Sequence, residues 1–228
     1  MPKRYTNNVI LAYGDVHAPY QHPDTLDFLR DIAAAYNPDR IIDLGDDLDM
    51  YTVSDYPKDI DHPDNWSSEF KKARKFINQL GLLFPEQEVL SSNHCDRAYK
   101  KSRVAGVPRE FMVPFLKVID APEGWRMKDY IRLTIDSTRE HWLFQHTMIS
   151  GSLAAAKNLG VSVCLGHSHT KFGAEAFNNG EDTVWGVDAG CFISDKGSPF
   201  AYNKNQIGRP IRGCVVILDG IPHLQPLR

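Results

Sequence analysis

Short unbroken apolar runs, each closed by a glycine or a knot of polar residues, constrain this chain more than any other feature. Val9-Ile-Leu-Ala-Tyr13 runs straight into Gly14, and Arg40-Ile-Ile-Asp-Leu44 into Gly45. Runs of this length suit strands buried on both faces, as in a sheet covered by helices. Between them, Pro23-Asp24 opens a helical pattern with Leu26, Leu29, Ala33 and Tyr36 on one side, and Asn37-Pro38 stops it. A second helix is expected from Ser67 to Leu83, with Phe70, Ile77, Leu80 and Leu83 as its apolar stripe, then a third strand at Glu88-Val-Leu-Ser91. This β-α-β-α-β alternation argues for parallel pairing in an α/β sheet.

The second half changes character. Strands are expected at Tyr130 to Ile135, at Trp142 to Phe144 and at Val161 to Leu165, with a short helix from Ser152 to Asn158 stopped by Gly160. From Lys171 onward the pattern is mostly strands, the last two joined by Asp219-Gly220. Segments 50–66 and 95–128 show weak periodicity and several prolines, and read as loops or insertions. The order predicts a mixed sandwich of two sheets flanked by helices. A chain of 228 residues suits one domain over 1–228. A net charge of −3 excludes a globally basic nucleic-acid coat. The four cysteines are scattered without a CxxC pair, which fits a reducing compartment. The first apolar run is too short for a signal peptide or a spanning helix, so the expectation is a soluble, cytoplasmic protein with no membrane partner.

Polar residues gather just past the apolar strands. They are Gly14-Asp15-Val16-His17, Gly45-Asp46-Asp47-Leu48-Asp49, Asn93-His94, Gln145-His146 and Gly166-His167-Ser168-His169. Five of the nine histidines lie in this set. The crevice beyond the carboxyl ends of strands is where α/β sheets bind ligands. Alternate residues on a strand end point the same way, so Asp15 and His17 can grip one ion, as can His167 and His169. Carboxylate, amide and imidazole donors without thiolate suit manganese, iron, zinc or nickel more than calcium. A carboxylate such as Asp46 can bridge two ions, and two ions about 3.5–4 Å apart form a clamp for in-line displacement at phosphorus.

In this order the motifs D-x-H, G-D-x-x-D, N-H, H and G-H-x-H resemble those of the calcineurin-like metallophosphoesterases, small bacterial and phage types in particular. The resemblance runs over residues 14–169, and Val187-Asp-Ala-Gly-Cys191 is similar to the small-residue turn that follows. It implies a four-layer α/β/β/α sandwich of two mixed β-sheets flanked by helices. It implies one metal on Asp15, His17, Asp46 and His169, and a second on Asp46, Asn93, His146 and His167. The cofactor implied is two divalent ions, manganese first, with iron, zinc or nickel as alternatives. A metal-bridging hydroxide is the implied nucleophile. His94 matches the histidine that assists the leaving group, and Asp49 the carboxylate that orients it and favours its protonated form. Three residues depart from the pattern. Ser92 replaces the usual glycine, Cys95 the usual acid after His94, and Thr147 the usual glycine after His146.

Other features carry readings of their own. Asp47 is expected in a supporting or solvated position beside Asp46. Arg97, Lys100, Lys101 and Arg103 follow the His94 loop and are candidate contacts to a phosphate substrate. Tyr51, Tyr56 and Trp66 are candidates to wall the cleft or stack a base. Lys71-Lys72-Ala-Arg74-Lys75 reads as the solvated face of a helix, Cys95 as a loop residue and not a nucleophile, and His22, His62, His141 and His223 as surface or structural. The resulting expectation is a dimetal phosphohydrolase, leaning to a phosphodiesterase on nucleotide or nucleic-acid substrates. The alternatives are a phosphomonoesterase on phosphoprotein or small phosphate esters, and a non-catalytic interaction module on the same fold.

Overall fold

Every residue of the first strand, β1 (Val9–Tyr13), from Ile10 onward is buried, because the strand runs between two cores. Ile10 and Ala12 enter the core between two sheets, whereas Leu11 and Tyr13 pack under helices on the other face. This computed structural model describes residues 6–55, 57–58, 60–195 and 208–228. Tyr56, a candidate cleft residue, lies outside them.

In the first sheet β1 pairs in parallel with β2 (Arg40–Asp43), β2 with β3 (Glu86–Leu90), and β3 with β4 (Gly124–Lys128). On its other side β1 pairs antiparallel with β10 (Gly213–Leu218), which turns back into β11 (Ile221–Pro226). The second sheet holds β5 (Ile131–Thr134), β6 (His141–Gln145), β7 (Ser162–Leu165), β8 (Phe172–Asn178) and β9 (Thr183–Ala189) in the order β5-β6-β7-β9-β8. Its centre is parallel, β6 to β7 and β7 to β9, and its edges are antiparallel. Ile42, Leu44, Leu90, Val215 and Ile217 of the first sheet face Ile131, Trp142, Phe144, Cys164 and Val187 of the second.

The outer layers follow from the apolar stripes. Leu29 of α1 (Thr25–Tyr36) and Phe76, Ile77 and Leu80 of α2 (Trp66–Leu83) pack on Leu11, Tyr13 and Val89. Asn37 ends α1 in a left-handed conformation, and a reciprocal capping box between Asn65 and Ser68 starts α2. On the far side Ala155 and Ala156 of α5 (Ser152–Leu159) pack on Leu143, Val163 and Val184. The molecule is therefore an α/β/β/α sandwich of two mixed sheets.

The structure corrects the reading of 95–128 as loop. This stretch holds α3 (Arg97–Val104), α4 (Phe115–Val118) and β4, an edge strand of the first sheet. None of the residues of α3 is buried, so it carries no apolar periodicity to read. In β4 only Trp125 and Met127 reach the core, a pattern too short to separate from the prolines around it. Among the described residues of 50–65 the chain is irregular apart from a single helical turn at Tyr51–Val53. That turn is fastened by Glu69 of α2, which is 2% exposed and accepts hydrogen bonds from the backbone N–H of Tyr51 (2.8 Å) and Thr52 (2.9 Å).

Removing this carboxylate strands two backbone donors. Glu69→Ala should cost about 1–3 kcal/mol in urea-induced unfolding, and Glu69→Gln, which keeps one acceptor oxygen, should lose less. A Glu69→Ala protein with wild-type midpoint and slope would mean the turn is held by packing alone.

Candidate dinuclear metal centre

The parallel register brings the carboxyl ends of β1, β2 and β3 to one edge, and those of β6 and β7 meet them across the sandwich. Beyond β1 and β2 the ladder continues through the loops, with Asp15 N–H donating to Gly45 O, His17 N–H to Asp46 O and Ala18 N–H to Asp47 O. The chain then turns sharply at the functional side chains. Asp15, His17, Asp46 and His167 have φ of 52°, 53°, 58° and 66°. Left-handed backbone at non-glycine residues is uncommon, and it persists where the surroundings over-determine it. Glycine is needed beside them for space: a Cβ on Gly166 would lie 2.5 Å from Asp15 Oδ2. That oxygen instead accepts the His167 N–H at 2.7 Å.

Two groups of potential ligand atoms share Asp46, and His17, Asp49 and His94 form a third. Asp15, His17, Asp46 and His169 form one, and Asp46, His146 and His167 the other, each with its ligand atoms within 4.8 Å of one another. Asn93 joins the second group, with Oδ1 2.9 Å from His146 Nε2. The structure thus brings together all seven residues expected to hold metal, with Asp46 common to both groups. His167 and His169, expected from their spacing to grip one ion, fall in different groups. The left-handed turn at His167 sends the two histidines to different groups, as the family resemblance implies.

The donor chemistry fits a pair of cations. His17 Nδ1 faces Asp49 Oδ2 at 2.9 Å and His146 Nδ1 faces Leu44 O at 2.9 Å. Both therefore carry hydrogen on Nδ1 and turn Nε2 inward. There His17 Nε2 lies 3.1 Å from His169 Nε2, which lies 3.1 Å from Asp15 Oδ1. Asp46 Oδ2 is buried and accepts no hydrogen bond among the described residues. It sits 3.3 Å from His146 Nε2, 3.6 Å from His17 Nε2 and 3.7 Å from His94 Nε2. Lone pairs crowded in this way require positive charge between them, as protons or as metal. Burial opposes charge on His17, but hydrogen bonds to Asp15 and Asp49 outweigh it and hold its pKa up at about 10. Burial is likewise outweighed at His146, where Asp46 raises the pKa to about 9. Asp46 stays well below the usual carboxylate range, since His94, His146 and His17 overcome its burial.

The pairing of Asp49 with His94 is placed differently from expectation. The Asp49 carboxylate serves His17 and not His94. It is the backbone carbonyl of Asp49 that accepts from His94 Nδ1, at 2.6 Å. His94 is accordingly not held protonated: burial, then the charge on His17, pushes it down to about 4. Asp47 is not solvated but 2% exposed, and burial followed by the neighbouring Asp43 raises its pKa well above the ordinary value. This acid pair lies by Gln87, whose Oε1 accepts from Tyr13 OH at 2.8 Å, a buried network beneath the ligand loop. The basic cluster is divided. Arg97 reaches His94, while Lys101 pairs with Asp55 at 2.7 Å and Lys100 with Asp96 at 3.8 Å, and Arg103 is exposed.

Two departures from the family pattern acquire a role. Ser92 Oγ accepts the Asp46 N–H at 3.0 Å, a bond that glycine cannot make. Cys95 Sγ donates to Ser92 O at 3.0 Å and accepts from Ser92 N–H at 3.1 Å, and burial pushes its thiol up to about 11. It staples the loop. Sequence reasoning passed over Ser92 as a ligand support, although a hydroxyl in place of glycine beside Asn93 was the signal. Tyr51 is buried against His62, with ring centroids 4.5 Å apart, whereas Trp66 is 38% exposed and stacks on Phe70.

Three outcomes are expected from metal measurements. Asp46→Asn should lose more metal than any single histidine variant, by elemental analysis, and two full equivalents would remove its bridging role. Asp49→Asn should weaken metal binding about 10–100-fold, the usual cost of losing a carboxylate behind a ligand histidine. Because His17 and His146 have raised pKa values of about 10 and 9, they bind protons at pH 7 in the ion-free site. Manganese loading should then release protons, measurable by calorimetry in buffers of different ionisation enthalpy, and release should shrink as pH rises through 9–10.

No protein-family model matches the chain, and no curated protein matches it in sequence. Solved structures do. An archaeal phosphodiesterase superposes over 96% of this chain and 99% of its own, with TM-score 0.51 and 16% identity. Vps29 from Cryptosporidium parvum covers 97% and 92%, with TM-score 0.48 and 12% identity. YfcE, a phosphoesterase from E. coli, covers 96% and 100%, with TM-score 0.44 and 14% identity. The first of these carries the comparison of folds. The sandwich of two mixed sheets, matched end to end by a phosphodiesterase and bearing a His/Asp cluster able to hold metal at its strand ends, is the calcineurin-like metallophosphoesterase fold.

Proposed function

We propose that the chain is a dimetal phosphohydrolase acting on phosphodiesters of nucleotides or nucleic acid. The observation that carries this is the buried Asp46 Oδ2, without a hydrogen-bond partner, shared by two ligand groups and 3.7 Å from His94 Nε2. Two divalent ions, manganese first on the oxygen and nitrogen donor set, would supply Lewis-acid stabilisation of a phosphoryl group and activation of water.

The chain's own residues do the rest. Asp15, His17, Asp46 and His169 would hold one ion, and Asp46, Asn93, His146 and His167 the other. Asp49 and Leu44 O fix the rings of His17 and His146 so that Nε2 faces inward. Ser92 Oγ and the His94 N–H hold the Asp46 loop and carboxylate in place, the latter through Asp46 Oδ1 at 3.1 Å. His94 is fixed through Nδ1 on the Asp49 carbonyl, which leaves Nε2 as the atom that, once it has taken up a proton from solvent, serves the departing oxygen. The diester reading agrees with the activity of the archaeal fold neighbour. It also agrees with a site rim in which Arg97 alone of the candidate cations reaches His94, a setting suited to a singly charged phosphoryl group.

A substrate panel with manganese separates these classes: phosphomonoesters, cyclic and linear dinucleotides, single-stranded and duplex DNA, and a phosphopeptide. Preference for the phosphopeptide or for monoesters would reverse the diester reading, and no turnover with no bound metal would favour a binding module. Within the panel His94 tests the mechanism. Proton transfer to a leaving group typically contributes 10²–10⁴-fold. His94→Ala should therefore keep both metals, lose kcat on an alkyl diester by about this factor, and lose far less on a nitrophenyl ester, whose leaving group departs without a proton. Equal losses on both esters, or a missing ion, would reject the role.

A further inference from the structure

The side chain of Arg97 spans from the start of α3 to the candidate centre. Its Nη1 donates to Asp49 O at 2.7 Å and its Nη2 to His94 Nε2 at 2.7 Å. The Asp49 carbonyl thus receives two donors, His94 Nδ1 and Arg97 Nη1, and fixes ring and guanidinium side by side. Arg97 is partly buried, and among the described residues no carboxylate lies within ion-pair distance of it. Its neighbours on α3 behave otherwise, since Lys100 and Lys101 are exposed and paired with Asp96 and Asp55. A guanidinium has five N–H donors in a planar fork, and only two are used here. A half-buried fork with spare donors and no counter-ion, beside the residue assigned to the leaving group, is arranged for an anion that enters the site.

The bond to His94 sharpens this. Nε2 can accept from Arg97 only through its lone pair, the same position at which it must take up a proton from solvent before it can serve a departing oxygen. Guanidinium and leaving group cannot both occupy it. We propose that Arg97 is a substrate-contacting residue that exchanges partners: in the free site it caps His94 Nε2, and an incoming phosphoryl group takes the guanidinium onto its non-bridging oxygens and uncovers His94. The exchange breaks one hydrogen bond to a neutral ring and forms a charge-assisted, two-pronged one to phosphate, so it runs toward the bound state. Arg97 keeps its Nη1 bond to the Asp49 carbonyl and therefore pivots at the mouth of the site. This inference rests on the phosphohydrolase reading above for the identity of the anion, and on the His94–Arg97–Asp49 geometry for the residue.

The test uses the manganese-loaded full chain, with inorganic phosphate as the probe in calorimetry and with kinetics on bis(p-nitrophenyl) phosphate and an alkyl diester. Arg97→Ala should weaken phosphate binding and raise KM about 10–100-fold, the range for hydrogen bonds to a charged group. Arg97→Lys should recover only part, since an ammonium restores charge but not the fork. Val104→Ala, an exposed change on the same helix, should match wild type. Both metal equivalents should remain in every variant. Unchanged phosphate affinity in Arg97→Ala would overturn the proposal. So would loss of an ion from that variant, because the arginine would then act through the metal centre. The two readings fail separately. A wild-type chain that turns over no ester yet loses phosphate affinity with Arg97 would sink the phosphohydrolase reading alone, whereas turnover indifferent to Arg97 would sink this one.

Discussion

The carboxylate of Asp46 stands where two sheets meet, and the arrangement around it depends on what is placed between its free oxygen and the rings that face it. Oδ1 is satisfied by the His94 N–H, but Oδ2 has no donor and three imidazole nitrogens within 3.3 to 3.7 Å. Burying an unpartnered charged oxygen is costly, and the cost falls only when positive charge is brought to it. The neighbouring residues are disposed toward that requirement. Asp49 and Leu44 O choose the tautomers, Ser92 Oγ holds the Asp46 N–H, and Gly166 lets the last histidine loop close on Asp15. Four left-handed residues in the ligand loops are the conformational expense of the same convergence.

Much of this was legible from residue order. The apolar runs placed β1, β2, β3, β6 and β7 because strands buried on both faces need continuous hydrophobicity. The candidate metal ligands follow those runs directly, so finding the strands finds the motifs. What sequence could not supply was direction around the turns. Period-two reasoning put His167 and His169 on one ion, but it applies to extended backbone, and His167 has φ of 66°. The same limit hid the partner of Asp49, whose carboxylate and carbonyl face different histidines. Helix α3 and strand β4 escaped for another reason: one buries no residue and the other lies at a sheet edge, so neither leaves a strong hydrophobic period.

Departures from a motif carry information when the replacement can do what the usual residue cannot. Glycine before the asparagine would give the loop freedom, whereas Ser92 Oγ gives it a bond to Asp46, and Cys95 Sγ ties the backbone N–H and carbonyl of residue 92. The loop is thereby fixed by side chains instead of being left to backbone preference, and Cys95 serves as a staple with its thiol held neutral by burial. The buried acid pair of Asp43 and Asp47 is a further case. Each carboxyl has its pKa raised, first by burial, so the pair can retain a proton beneath a centre already rich in carboxylates and adds less negative charge than its residues suggest.

The division of ligands between the sheets ties the chemistry to the fold. Asp15, His17, Asp46 and Asn93 follow strands of the first sheet, while His146, His167 and His169 follow strands of the second. Each candidate ion would be held from both sides, so neither site exists until Ile42, Leu44 and Leu90 have docked against Trp142, Phe144 and Val187. An ion that binds only the docked state stabilises it by mass action, growing as RT ln(1 + [L]/Kd). The repulsion among carboxylates and inward-facing nitrogens in the ion-free centre acts in the opposite sense. The same two terms that prepare the site to take metal therefore make the contact between the sheets depend on whether metal is there, and the strand ends that carry the chemistry are also the seam of the sandwich.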